Sequence, residues 1–129
     1  MLMGGCFCGA VRYEAGSPYH LTNCHCTTCR RTSGAPFVTW FSVRRAEFKL
    51  LQGALVLFRS SANGVRGFCG RCGSHVTFEF EDADEIDFTT CTLDEPERLP
   101  PEDHTWARSR LPWIRLADGL PEHREVRRP

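Results

Sequence analysis

Seven of the eight cysteines fall into three tight clusters, and nothing else in the 129 residues restricts the fold so strongly. Cys6-Phe7-Cys8 lies between Gly5 and Gly9. Cys24-His25-Cys26-Thr27-Thr28-Cys29 places three thiols in six residues, and Cys69-Gly70-Arg71-Cys72 runs directly into Gly73. Disulfides are one explanation, and spacing alone does not pair them. The opening Met1-Leu2-Met3-Gly4-Gly5, however, has neither the basic nor the apolar stretch of a secretory signal. No run approaches the about 20 apolar residues of a membrane span. A cytoplasmic setting is therefore expected, where thiols stay reduced and multiple cysteines more often hold metal.

Cys-x-x-Cys followed by glycine is a zinc-knuckle pattern: a tight turn lets two thiolates face one ion, and glycine permits the backbone that closes it. Cys6 and Cys8 with Cys69 and Cys72 would complete a tetrahedral site of four cysteines. Closing the intervening loop of about 60 residues costs entropy that grows only slowly with length. Metal binding offsets it, because binding free energy becomes folding free energy. Four protein ligands leave no room for substrate, so this ion is expected to be structural. The competing reading of Cys69 and Cys72 is a redox pair, but such pairs open a helix in a βαβ unit, and no helical pattern follows here.

The middle cluster reads differently. Cys24, Cys26 and Cys29 supply three ligands, and three leave a tetrahedral position open, the arrangement of a catalytic zinc. Two Zn2+ per chain are thus expected, one structural and one catalytic. Spacing does not settle which thiols share an ion. Cys69 and Cys72 could close on the middle cluster instead, and His25 is an alternative fourth donor in a cramped position. Arg30 and Arg31 follow directly, either to capture a substrate anion or as a solvated basic face. Cys91 stands apart and reads as a small buried hydrophobe. His20, His75, His104 and His123 are isolated, and each alone is more often structural than functional.

Sixteen basic and sixteen acidic residues give a formal charge of zero, so nothing draws the whole chain toward nucleic acid or an anionic membrane. Seven thiolates and two Zn2+ would leave the loaded protein mildly acidic, offset locally by Arg12, Arg30, Arg31, Arg66 and Arg71. The remaining sequence is short β-like runs broken by Gly, Pro, Asn and Ser. Strands are predicted over Ala10–Glu14, Pro36–Val43, Glu47–Leu51, Ala54–Phe58, His75–Phe80 and Glu85–Thr90. In His75–Phe80, Val76, Phe78 and Phe80 should share one face. Ser61-Ala62-Asn63-Gly64 reads as a turn. Cys26–Ser33 is the one helix candidate, with Gly34 as its cap and Pro36 beyond. The expected fold is mainly β: a single domain over 1–129 with antiparallel β-sheets around the four-cysteine structural zinc.

These residues carry a resemblance. Gly5-Cys6-Phe7-Cys8-Gly9-Ala10-Val11-Arg12-Tyr13-Glu14 resembles the opening motif of the glutathione-dependent formaldehyde-activating enzyme family, and Asn23–Arg31 with Gly34–Phe37 resembles its second motif. Phe68-Cys69-Gly70-Arg71-Cys72-Gly73 is similar to the third, and His104-Thr105-Trp106, Leu111-Pro112-Trp113 and Asp118–Pro121 to the C-terminal pattern. The resemblance implies a β fold with Cys6, Cys8, Cys69 and Cys72 on the structural zinc. It implies Cys24, Cys26 and Cys29 as catalytic ligands. The implied activity is a carbon–sulfur lyase type, adding the thiol of glutathione to formaldehyde to give S-hydroxymethylglutathione. Arg30 and His104 are the expected substrate-binding residues, lying near the open position. The centromere protein V group resembles the same motifs, so a zinc-stabilised binding module without catalysis is the alternative. The only basic run, Arg124–Arg128, is too short to favour nucleic acid. A binding module also has no need of an open three-thiolate site.

Overall fold

A computed structural model describes residues 1–127; Arg128, the end of the basic tail, and Pro129 lie outside them. Ten strands form: β1 (Leu2–Gly5), β2 (Arg12–Ala15), β3 (Tyr19–Cys24), β4 (Val38–Arg44), β5 (Phe48–Gln52), β6 (Leu55–Arg59), β7 (Gly64–Cys69), β8 (His75–Phe80), β9 (Glu85–Thr89) and β10 (Asp103–Thr105). One helix, α1 (Thr27–Ser33), follows β3. The fold is mainly β, as expected, in a three-stranded sheet ordered β1-β2-β5 and a seven-stranded sheet ordered β10-β3-β4-β9-β8-β7-β6. Pairing is antiparallel except between β10 and β3, which run parallel.

The small sheet covers one face of the large one, and their apolar residues meet in the main core. Tyr13 and Ala15 of β2 lie against Phe41 and Val43 of β4, Val76 of β8, and Ile86 and Phe88 of β9. Phe88 is the hub: Tyr13, Phe41 and Phe48 place their rings 4.5, 5.5 and 5.2 Å from it. Fully burying such a side chain contributes roughly 1.5–3 kcal/mol, and aromatic pairing adds to it. Asn63-Gly64 turns the chain between β6 and β7 as the sequence implied. Helix α1 ends at Gly34, whose φ of 66° lets its N–H return to the Arg30 carbonyl at 2.8 Å.

One alternation departs from the simple pattern. On β7, Gly67 pairs with Thr77 and Phe68 with His75, so Val76 has no partner across the ladder. This bulge reverses the parity of β8. Val76 therefore enters the main core, while Phe78 and Phe80 leave together on the other face, their rings 4.9 Å apart and Phe78 against Trp40. The three do not share a face. The consequence is functional, because the face that receives Phe78 is the one the small sheet leaves uncovered.

Candidate metal centres and cavity

Two hairpin turns form the first centre. Residues 6–11 join β1 to β2 in the small sheet, and residues 70–74 join β7 to β8 in the large one. Each turn closes on its first cysteine: Gly9 N–H reaches the Cys6 carbonyl at 3.2 Å, and Gly73 N–H the Cys69 carbonyl at 2.8 Å. Both glycines sit at positive φ, 81° and 77°, which a side chain would strain. The sulfurs of Cys6, Cys8, Cys69 and Cys72 all lie within 4.8 Å of one another. Cys6 and Cys8 are 3.6 Å apart, and Cys8 and Cys69 are 3.8 Å apart. A tetrahedral zinc with bonds of about 2.3 Å sets sulfurs about 3.8 Å apart, so the donors fit that ion. Backbone N–H groups of Val11 and Arg71 donate to the Cys6 and Cys69 sulfurs at 3.2 and 3.4 Å, and the Val11 bond helps hold the Cys6 thiol below its ordinary value. Bonds from the Ser74 hydroxyl and backbone pull Cys72 down to about 5. One ion here would join the two sheets at their ends.

The second centre lies at the exit of β3. Cys24 closes the strand, Cys26 caps α1 and Cys29 lies in its first turn. Their sulfurs also lie within 4.8 Å of one another, with Cys24 and Cys29 at 3.6 Å. The Cys26 sulfur accepts the Cys29 N–H at 3.2 Å, so the helix cap and the ligand are one atom. Bonds from Cys24 and Cys29 lower Cys26 to about 2, while Cys26 and Cys29 push Cys24 strongly up. Three thiols this close resist ionising together, and a cation among them would let all three do so. This donor set also fits zinc.

His25 does not join the sulfurs. Its backbone N–H bonds the Thr105 carbonyl at 3.0 Å, and its Nε2 meets Nδ1 of His104 at 2.9 Å. Nε2 of His104 in turn meets Asp118 at 2.8 Å. A Leu120 N–H and His104 hold the Asp118 carboxyl low, so it accepts from His104 Nε2–H. In the neutral tautomer that donates this Nε2–H, His104 Nδ1 accepts from His25 Nε2–H, which leaves His25 Nδ1 bare; that atom is buried without a partner among the described residues. Asp118, His104 and His25 thus form a chain that fixes the loop between Cys24 and Cys26.

A cavity of about 530 Å³ opens on the second centre. Cys24, Cys26 and Cys29 stand at one end, with Trp40, Phe78 and Trp106 among its walls. His20 and Trp106, the non-glycine residues at positive φ among the described residues, both line it. Such strain gathers where a site is being shaped. Arg66 also lines it and is 6% exposed. Its guanidinium lies 4.7 Å from the centre of the Phe78 ring, and both terminal nitrogens are 4.0 Å from the Cys29 sulfur.

Neither expected substrate-binding residue is in that lining. The Arg30 guanidinium turns back to the Thr27 hydroxyl at 3.5 Å, because its place on α1 points away from the sulfurs. His104 is fully buried: its register opposite Asn23 sends its side chain to the face away from Cys24. Arg66 holds the place beside the thiols that sequence reasoning gave to Arg30. A partial signal was present: a charged residue in the otherwise uncharged run Gly64–Cys69, three positions before Cys69. Cys91 is exposed rather than buried, since β9 ends at Thr89 and a 3-10 turn carries Cys91 outward. All eight cysteines are free thiols, and no helix among the described residues is long and apolar enough to cross a membrane.

This mainly β protein thus carries a four-thiol cluster and a three-thiol cluster facing a cavity, two sets of donors that could each hold a metal ion. Residues 1–109 match the model of the glutathione-dependent formaldehyde-activating enzyme family, and the chain belongs to that family. A provisionally named glutathione-dependent formaldehyde-activating enzyme of Halomonas elongata is 27% identical over 127 residues, 90% of this chain and 81% of that one. The crystal structure of a Rhodobacter sphaeroides protein shares the fold, with a TM-score of 0.62 and 21% identity over 95% of this chain and 99% of that one.

Proposed function

We propose that this chain is a zinc-dependent carbon–sulfur lyase that adds glutathione, or a similar thiol, to formaldehyde or another small aldehyde. One observation carries this reading: the three-thiol cluster opens on a cavity that also holds a buried arginine with no carboxylate partner among the described residues. Cys6, Cys8, Cys69 and Cys72 would hold a structural zinc, and Cys24, Cys26 and Cys29 the catalytic one. When bound, the second ion lowers the pKa of a thiol from about 8.5 or polarises an aldehyde oxygen.

The overall step balances without an oxidant. The substrate S–H is broken, sulfur bonds to the aldehyde carbon, the C=O π bond opens, and the proton ends on the new hydroxyl. The protein's own groups set the conditions. Arg66 places positive charge beside Cys29, offsetting the sulfur cluster and any anionic substrate group. Trp40, Phe78 and Trp106 exclude water from the reacting end, which strengthens that attraction. Holding thiol and aldehyde in one cavity removes the entropy cost of their encounter, worth up to about 7–11 kcal/mol in well-oriented cases. Free glutathione and eight free thiols suit a reducing compartment, which supports a cytoplasmic location.

Metal analysis and magnetisation-exchange NMR test the reading together. With two zinc equivalents per chain, exchange between formaldehyde and its glutathione adduct should accelerate in proportion to protein. No acceleration in fully loaded protein would remove this reaction from consideration.

A further inference from the structure

The strand register builds a row across the cavity floor. Arg66 of β7 pairs with Phe78 of β8, Phe78 with Asp87 of β9, and Asp87 with Ser42 of β4. Adjacent strands lie about 4.8 Å apart, so the backbones of Arg66 and Asp87 are separated by about 10 Å. All four residues line the cavity.

The two charged members of this row are each incomplete. Arg66 bonds the hydroxyls of Ser60 and Thr32 at 3.1 and 3.4 Å, lies over Phe78 and faces the Cys29 sulfur, but meets no carboxylate among the described residues. Asp87 accepts one bond, from the Ser42 hydroxyl at 2.6 Å, and no Arg, Lys or His among the described residues pairs with it. Glu85, two positions earlier on the same face, also lines the cavity; one of its oxygens takes the Tyr19 hydroxyl at 2.6 Å. It adds negative charge and compensates none. Burial, with Glu85 adding to it, raises the Asp87 carboxyl to about 6. Leaving a carboxylate in such a place without a cation is costly, so the missing cation is informative.

We infer that Asp87 binds the ammonium group of the substrate, while Arg66 faces its anionic end, so that the cavity selects a zwitterionic thiol. An uncompensated cation and an uncompensated anion in one cavity are the imprint of a ligand carrying both signs. Of the three sulfurs, that of Cys29 lies 4.0 Å from the Arg66 nitrogens, so the reacting thiol would sit near Arg66, with the amine directed toward Asp87 two strands away. The ligand class is therefore a thiol bearing both a protonated amine and a carboxylate. Simple alkyl thiols would leave Asp87 and Arg66 unpaired. This assignment rests on the thiol-addition reading of the same cavity, but it concerns recognition rather than turnover.

The test compares glutathione with des-amino glutathione, in which hydrogen replaces the ammonium, on protein loaded with two zinc equivalents. Calorimetry without formaldehyde reads binding, and NMR exchange with formaldehyde reads turnover. Wild-type protein should bind glutathione about 30-fold more tightly than the des-amino form, the range of a charge-assisted contact in a sheltered site. Asp87→Asn should reduce that preference to within about 3-fold. Its KM for glutathione should rise while kcat stays within about 3-fold of wild type. The wild-type ligand comparison needs no variant, and the amide introduced by Asp87→Asn retains an oxygen for the Ser42 hydroxyl. Equal binding of the two ligands by wild type, no binding of either, or a preference that survives Asp87→Asn would each overturn the assignment. An Asp87-dependent preference without accelerated exchange would uphold it while removing the lyase reading.

Discussion

The two cysteine clusters use the same donor atom for opposite ends. In the four-thiol cluster, Cys6 and Cys69 are buried between hairpin turns from two sheets, and none of the four sulfurs lines the cavity. In the three-thiol cluster every cysteine lines it. The difference lies in what surrounds the thiols. Turns closed by Gly9 and Gly73 bring two pairs together and complete a shell. A strand end followed at once by a short helix brings three from one segment and leaves one direction open. With metal bound, ligand count and local geometry would separate a centre that holds the fold from one that could meet a substrate.

The strongest way to break that contrast is to remove one ligand from each. Cys69→Ser should cost the four-thiol metal and lower Tm by about 15 °C or more, because structural metal binding is folding free energy. Cys26→Ser should abolish accelerated formaldehyde exchange and reduce metal content from two equivalents to one, with Tm falling by less than about 5 °C. Reversed outcomes, with Cys26→Ser unfolding the chain and Cys69→Ser leaving Tm intact, would exchange the two roles. Next in size is Arg66→Gln, expected to lower kcat/KM by about 100-fold, the cost of one preorganised electrostatic contact. Thermal scans should show little loss, since burying a cation without a carboxylate contributes little to folding.

Asp118→Asn sharpens the comparison at a smaller scale. The carboxylate reaches the second centre only through His104 and His25, and no corresponding chain among the described residues supports the first. Metal at the three-thiol centre should be held about 10-fold less tightly, as is common when a supporting partner is lost. Release to a chelator would then show one accelerated phase and one unchanged phase. A uniform acceleration of both would mean that the chain supports the whole fold and not that loop.

How far these features were legible depends on whether they are local. Cys-x-x-Cys-Gly and the cluster from Cys24 to Cys29 are written in consecutive residues, and the structure brings both groups within ligand distance. Helix α1 and its Gly34 cap are equally local, as are the strands with strong β-branched and aromatic content. Strands β1, β3, β7 and β10 were not legible. Gly64, Gly67 and the pair Gly4-Gly5 weaken propensity, and tertiary pairing overrides it. The bulge at Val76 depends on β7 and cannot be read from β8 alone. Asp87 illustrates the same limit: alternation correctly separates it from Ile86 and Phe88, but only the register of four strands shows that its face is a cavity and not open solvent.

The smallest expected effect is the most direct test of that limit. Arg30 follows Cys29 in sequence, and adjacency made it the natural anion-binding residue. Adjacency on a helix, however, rotates successive side chains by about 100°, so the neighbour of a ligand seldom faces the same way. Arg66 is 37 positions from Cys29 in sequence, yet its guanidinium is the one beside that sulfur. Arg30→Ala should therefore change glutathione KM by less than about 2-fold and stability by no more than about 0.5 kcal/mol. A 10-fold rise in KM for Arg30→Ala, with Arg66→Gln silent, would return the anion site to α1 and show that chain proximity, not strand register, placed the charge.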